Sequence, residues 1–147
     1  MSDLRDLYQE VILDHNKRPR NFRIISQPTH KADGVNPLCG DRISVYLDIE
    51  DGVIRDIAFQ GAGCAISSAS ASLMTEALKG KPVDEVEHLF EAFHNVVTGD
   101  CECPRGLGKL SVLAGVRDYP SRVKCATLAW HAVRAALEER KVPVATE

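Results

Sequence analysis

The apolar positions near the start of the chain recur with a helical period. Leu4, Leu7, Tyr8, Val11 and Ile12 follow i, i+3, i+4 spacing and predict an amphipathic helix over 3–16. Ser2 or Asp3 supplies its cap, and Asn16 through Pro19 ends it. After a polar stretch the period falls to two. Ile43, Val45, Leu47 and Ile49 alternate with Arg42, Ser44, Tyr46 and Asp48, which predicts a half-buried strand with the second set facing outward. Glu50-Asp51-Gly52 is a hairpin signal, and residues 53–60 return as the partner strand. The extended residues 28–35 are expected to add a third strand at the edge.

From Cys64 the helical period returns. Ile66, Ala69, Leu73 and Ala77 form one face of a helix that stops at Gly80. Pro82 opens the next, striped by Val83, Val86, Phe90, Phe93 and Val97. Residues 98–106 read as a loop and 107–116 as a short helix ending at Gly115. Pro120 starts the last helix, with Val123, Ala126, Trp130, Val133 and Leu137 in its stripe, and the tail 141–147 is expected to fray. The fold class is α+β: a small antiparallel β-sheet of about three strands packed against a set of helices. The Asp-Gly hairpin excludes a parallel crossover between its strands, and with it a doubly wound sheet. With no repeats and no linker rich in Gly, Ser or Pro, residues 1–147 read as a single domain.

Composition narrows the function classes. A net charge of −3 with no Lys or Arg run offers no field for nucleic acid. The N-terminal MSDLRDLYQE carries acids and no apolar run, unlike a signal peptide. No stretch approaches the ~20 apolar residues that cross a bilayer, so neither nucleic acid nor membrane is an expected partner and the expected compartment is the cytoplasm.

Cysteines at 39, 64, 101, 103 and 125 then need a reason. Their odd number and scatter argue against a disulfide framework, and in a reducing compartment grouped thiols point to metal, catalysis or sulfur chemistry. Any one of them alone reads as readily as a small buried apolar residue. Three, however, stand in polar or glycine-bounded settings at the edges of elements: Cys39 in NPLCGDR, Cys64 in QGAGCAIS and Cys125 in PSRVKCATLAW. A thiol at a helix start faces unpaired N–H groups and the positive dipole end, which favours thiolate. Gly61 and Gly63 allow close approach to whatever Cys64 binds, and Gly34 and Gly40 leave the Cys39 loop free to move. Three thiolates and the Asp41 carboxylate suit tetrahedral zinc. Asp41 by itself is an ordinary turn residue, and the long separations between the cysteines are not those of a local finger.

Four segments, LYQEVILDHNKRPRNF, NPLCGDRISV, FQGAGCAISSASASLMT and YPSRVKCATLAW, resemble the iron–sulfur cluster assembly scaffold family of the IscU/NifU N-terminal type, with a SufE/NifU-like fold. The resemblance runs from about residue 4 to residue 138 and is closest to the SufU branch. The segment between Cys64 and Cys125 is longer than in the short scaffold branch, and Lys124 stands where that branch has a histidine at its cluster site.

The resemblance implies zinc held by Cys39, Asp41, Cys64 and Cys125, and a sulfurtransferase-type role. Cys39 accepts persulfide sulfur from a PLP-dependent, SufS-like cysteine desulfurase and passes it to downstream iron–sulfur assembly proteins. Cys39, on a loop, is the ligand expected to let go; the other three are expected to stay fixed. The alternative is a scaffold on which a [2Fe–2S] cluster, built from iron and sulfur, forms at the same cysteines. A purely structural zinc module is a third reading, disfavoured by a displaceable Cys39. Arg122 and Lys124 are either solvated first-turn charges or groups that dock a partner or favour thiolate at Cys125. Cys101 and Cys103 depart from the family pattern; such a Cys-x-Cys pair could relay sulfur, bind metal or form a redox couple, but in a loop, which tolerates change, it reads first as incidental. His15, in LDHNKRPRNF, is expected in a surface or partner-contact role; His30, His88 and His94 lack ligand-like neighbours, and His131 lies about 240° around the helix from Cys125. The serines at 67–72 are expected to allow close helix packing.

Overall fold

The structure is a computed structural model that describes residues 4–37, 40–98, 113, 116, 120–138 and 144–145. Helix α1 spans Leu4–Lys17, followed by β1 (His30–Asn36), β2 (Asp41–Glu50) and β3 (Val53–Ala62). Helices α2 (Ala65–Leu78), α3 (Asp84–Thr98) and α4 (Pro120–Leu137) come next, and a short β4 (Val144–Ala145) closes the order.

The sheet order is β3-β2-β1-β4. β2 and β3 form the antiparallel hairpin that Asp51-Gly52 announces, with both residues at positive φ (54° and 75°), as the tight primed turn demands. β1 pairs antiparallel with β2 from His30↔Leu47 to Asn36↔Asp41. Two expectations fail at the far side. β1 is not the edge, and the tail does not simply fray: Gly34 and Val35 pair in parallel with Val144 and Ala145. The exposed N–H and C=O groups of β1 make an edge that the returning chain covers.

Ile43, Val45 and Leu47 are buried as their alternation predicts, while Ile49 is only partly so. Tyr46, expected outward, is buried as well, with Lys31 Nζ 5.5 Å from its ring centroid. α4 lies across β1 and β2 and against α2 and α3, so most of its sides are covered rather than one stripe. That packing corrects the reading of Gly34, which is a strand residue and no loop hinge: a Cβ there would meet Leu128 Cδ1 at 3.1 Å.

α2 departs furthest from its sequence pattern. Instead of one apolar face it buries Ser67, Ser70, Ser72 and Thr75 along with Ile66, Ala69, Leu73 and Met74, because α1, α4 and β3 all pack on it. The small side chains permit that crowding, as the sequence predicts, and their hydroxyls also bond across it. Ser70 Oγ donates to the Ala126 carbonyl of α4. α3 docks on α4 through Phe93 stacked on Trp130 at 4.8 Å and a two-pronged Arg134–Glu87 pair at 2.6 and 2.7 Å. Of the expected short helix only Leu113 and Val116 are among the described residues, both fully buried. Among those residues no helix is long and apolar enough to cross a membrane.

Candidate metal centre

Three chain segments converge at one end of the sheet. Asp41 is the first residue of β2, and its side chain is 1% exposed. Cys64 follows β3 and caps α2, with extended backbone (φ −74°, ψ 169°) and its sulfur accepting the Ser67 N–H at 3.4 Å. A thiol here does the work of the usual Ser or Asp cap, and so sits at the positive end of the helix dipole. Cys125 is buried in α4, and its sulfur accepts the Asn36 side-chain amide at 3.6 Å. Cys125 is therefore not the helix-start thiol the sequence suggests: Pro120 opens α4, which puts Cys125 past the unpaired N–H groups of the first turn.

The donor atoms of Asp41, Cys64 and Cys125 all lie within 4.8 Å of one another. Cys64 Sγ stands 3.9 Å from Asp41 Oδ2, and the Cys64 N–H donates to Asp41 Oδ1 at 2.8 Å. Neither thiol is joined in a disulfide. The donors of a zinc tetrahedron stand about 3.5–3.8 Å apart, so only a small inward shift separates this group from a ligand set. Among the described residues no Lys or Arg pairs with Asp41, although its carboxylate is buried beside two sulfurs. Burying a carboxylate without a cation is costly, and a bound metal cation supplies the missing charge. The donor chemistry and the missing charge both fit zinc.

Gly63 makes the close approach possible. A Cβ there would lie 2.5 Å from Ser67 Oγ and 2.7 Å from Asp41 Oδ1. At Gly61 a Cβ would run into the Arg42 carbonyl. Cys39, Cys101 and Cys103 lie outside the described residues; the residues that flank Cys39, Asn36 and Asp41, are paired, and the Gly40 N–H donates to the Asn36 carbonyl at 2.8 Å. Arg122 is exposed and Lys124 half-buried, and neither belongs to the donor group.

His15 is not at the surface. It is 1% exposed, with Nδ1 2.6 Å from Ser72 Oγ and Nε2 3.7 Å from Glu76 Oε1. Its neighbours stitch the same segment to α2: the Arg20 N–H donates to Ser72 Oγ at 2.8 Å and the Asn21 side-chain amide to Thr75 Oγ1 at 3.0 Å. The Asn16 amide reaches the Ala65 carbonyl at 2.9 Å, directly after the Cys64 cap. The segment thus braces the helix that presents one donor, while Ser70 ties that helix to Ala126, next to the other sulfur. The burial of His15 and the Asn36 contact both escaped the sequence reading. His131 packs edge-on to Phe90 at 5.1 Å; burial lowers its pKa first, with Arg134 and His94 adding to the effect.

The family described as NifU-like N terminal domain matches residues 7–126. The chain is 37% identical over 141 residues to the zinc-dependent sulfurtransferase SufU of Bacillus subtilis, covering 95% of each. It is 41% identical over 145 residues to the iron–sulfur cluster assembly scaffold protein IscU of Streptococcus pyogenes serotype M1, covering 94% of this chain and 87% of that one. Its fold matches a crystal structure described as an iron–sulfur cluster assembly scaffold protein for the SUF system, from Fervidobacterium islandicum, with a TM-score of 0.84 and 33% identity over 89% of this chain and 96% of that one.

Proposed function

The chain belongs to the family of NifU-like N-terminal domains, and from that membership we propose that it is an iron–sulfur cluster assembly protein that accepts persulfide sulfur from a PLP-dependent, SufS-like cysteine desulfurase. The observation that carries the reading is the convergence of Asp41, Cys64 and Cys125 within 4.8 Å, with a buried carboxylate that no described cation neutralises. Cys39 is the fourth ligand and the acceptor in this proposal. The name of the Bacillus subtilis relative supports zinc.

Cys39, Asp41, Cys64 and Cys125 would hold the zinc, which would supply the charge that keeps the sulfur ligands deprotonated at neutral pH. Asp41, Cys64 and Cys125 are fixed by a strand end, a helix cap and a buried helix position, and so serve as permanent donors. As acceptor, the Cys39 thiolate would attack the terminal sulfur of the partner enzyme's Cys–S–SH. A sulfur–sulfur bond forms to Cys39 as the original one breaks, and the partner's cysteine departs as thiolate, so no outside oxidant or reductant is needed. Downstream assembly proteins then take the sulfur from Cys39. The chemistry suits the cytoplasm, where thiols stay reduced.

The second reading is a scaffold on which a [2Fe–2S] cluster is the cargo; it is favoured by the name of the Streptococcus pyogenes relative. Aerobic purification with metal analysis separates the two, followed by a desulfurase assay. Stoichiometric zinc with stimulation that disappears in Cys39→Ala supports sulfur transfer. Tightly bound iron with visible charge-transfer absorption and no stimulation establishes the scaffold. Full stimulation by Cys39→Ala removes Cys39 from the acceptor role.

A further inference from the structure

Each of the three candidate ligand side chains accepts an N–H. Asp41 Oδ1 takes the Cys64 N–H, Cys64 Sγ takes the Ser67 N–H, and Cys125 Sγ takes the side-chain amide of Asn36. The first two are backbone groups that side-chain substitution leaves in place. The third belongs to a side chain at the end of β1, 1% exposed, whose backbone is paired with Asp41. A buried Asn needs partners for its amide, and a sulfur acceptor aligns the nitrogen rather than the oxygen toward Cys125. Cys125 stands past the first turn of α4, so this amide takes the place that helix-terminal N–H groups hold at Cys64.

We propose that Asn36 is a positioning residue of the centre: its amide N–H orients the Cys125 sulfur and withdraws charge from it, so that Cys125 remains a fixed ligand. Groups that hydrogen-bond metal ligands orient them and tune their donor strength. The inference rests on the reading of Asp41, Cys64 and Cys125 as metal ligands.

The test is titration of the full-length, metal-free, reduced protein with cobalt(II), for wild type, Asn36→Leu and Asn36→Asp. The leucine has similar bulk and no donor; the aspartate keeps the shape and turns an acceptor toward the sulfur. Expected for both is an affinity for cobalt and for zinc at least about 10-fold weaker in chelator competition. The sulfur-to-cobalt charge-transfer band is expected to move to lower energy, since a thiolate without its hydrogen bond donates more strongly. A residue that merely supports the fold lowers the melting temperature of the metal-free protein and leaves the band in place; that result overturns the proposal, as does unchanged affinity. Should Asn36→Leu fail to fold, Asn36→Asp decides. A wild type that binds no cobalt at thiolate ligands defeats the underlying metal-centre reading instead, and is told apart by appearing before any variant is compared.

Discussion

The Cys64 N–H donates to Asp41 Oδ1 at 2.8 Å, so one carboxylate oxygen locks the turn that presents the sulfur while the other faces it at 3.9 Å. The two roles separate by substitution. Asp41→Asn keeps an oxygen for the Cys64 N–H but removes the charge, and is expected to bind zinc at least tenfold more weakly (roughly 1.4 kcal/mol per tenfold) with little change in metal-free stability. Asp41→Ala leaves the N–H unpaired and is expected to cost a further ~1–3 kcal/mol in urea unfolding of the metal-free protein. Equal stability of the two variants would contradict this assignment.

At Gly63 the space for a side chain is already occupied by Ser67 Oγ and Asp41 Oδ1. Gly63→Ala is expected to push Asp41 and Cys64 apart and destabilise the metal-free fold by about 1–3 kcal/mol, as overpacking does. Zinc binding, read by chelator competition, should fall with it. Retention of full zinc affinity would mean that the close approach of Gly63 to Asp41 does not matter to the centre.

Zinc that binds only the folded chain must raise its melting temperature. At about 100 times its dissociation constant the gain is about 2.7 kcal/mol, which corresponds to roughly 5–10 °C for a domain of this size. Cys64→Ser preserves the α2 cap, because a hydroxyl accepts the Ser67 N–H, and removes the thiolate. Its metal-free melting temperature should therefore stay close to wild type while the zinc-dependent rise collapses. A rise of the same size in both proteins would place zinc elsewhere.

Periodicity sufficed for the elements whose neighbours lie on one side. The 43–47 alternation, the Asp51-Gly52 turn and the α3 stripe through Phe90 and Phe93 all read directly from the chain. It fell short where an element is enclosed: α2 buries Ser67, Ser70, Ser72 and Thr75 beyond its one apolar face, and Tyr46 is buried although it alternates with the apolar set. β4 pairs over two residues, too short to leave any pattern. At the site, the segments around Asp41, Cys64 and Cys125 carried a family resemblance, while Asp41 by local chemistry was only a turn residue. Asn36 left no signal, since its contact with Cys125 spans 89 residues. His15 misled for a similar reason. A polar residue in a polar segment reads as exposed, and only the fold brings Ser72 beneath it.

The His131 ring is wedged between α3 and α4, edge-on to Phe90, and its pKa is lowered by burial and by the neighbouring Arg134 and His94. The other charged groups around Arg134 are Glu87 and Glu91 of α3 and Glu138 beyond the end of α4. With its folded pKa depressed, His131 binds fewer protons in the folded chain than in the unfolded one, so stability rises with pH across its titration. That contribution is fully present above an unfolded pKa of about 6.5 and is lost as pH falls through the lower folded value. Asp14, Asp56 and Glu87 are shifted the same way, chiefly by hydrogen bonds from Arg20, Arg23 and Arg134, but their losses fall in the carboxylate range near and below pH ~4. The two windows are separable. Urea unfolding of metal-free protein at about pH 7.5 and about pH 5.5 is expected to show a drop in stability that His131→Gln reduces. An equal drop in the variant would assign the loss to other groups.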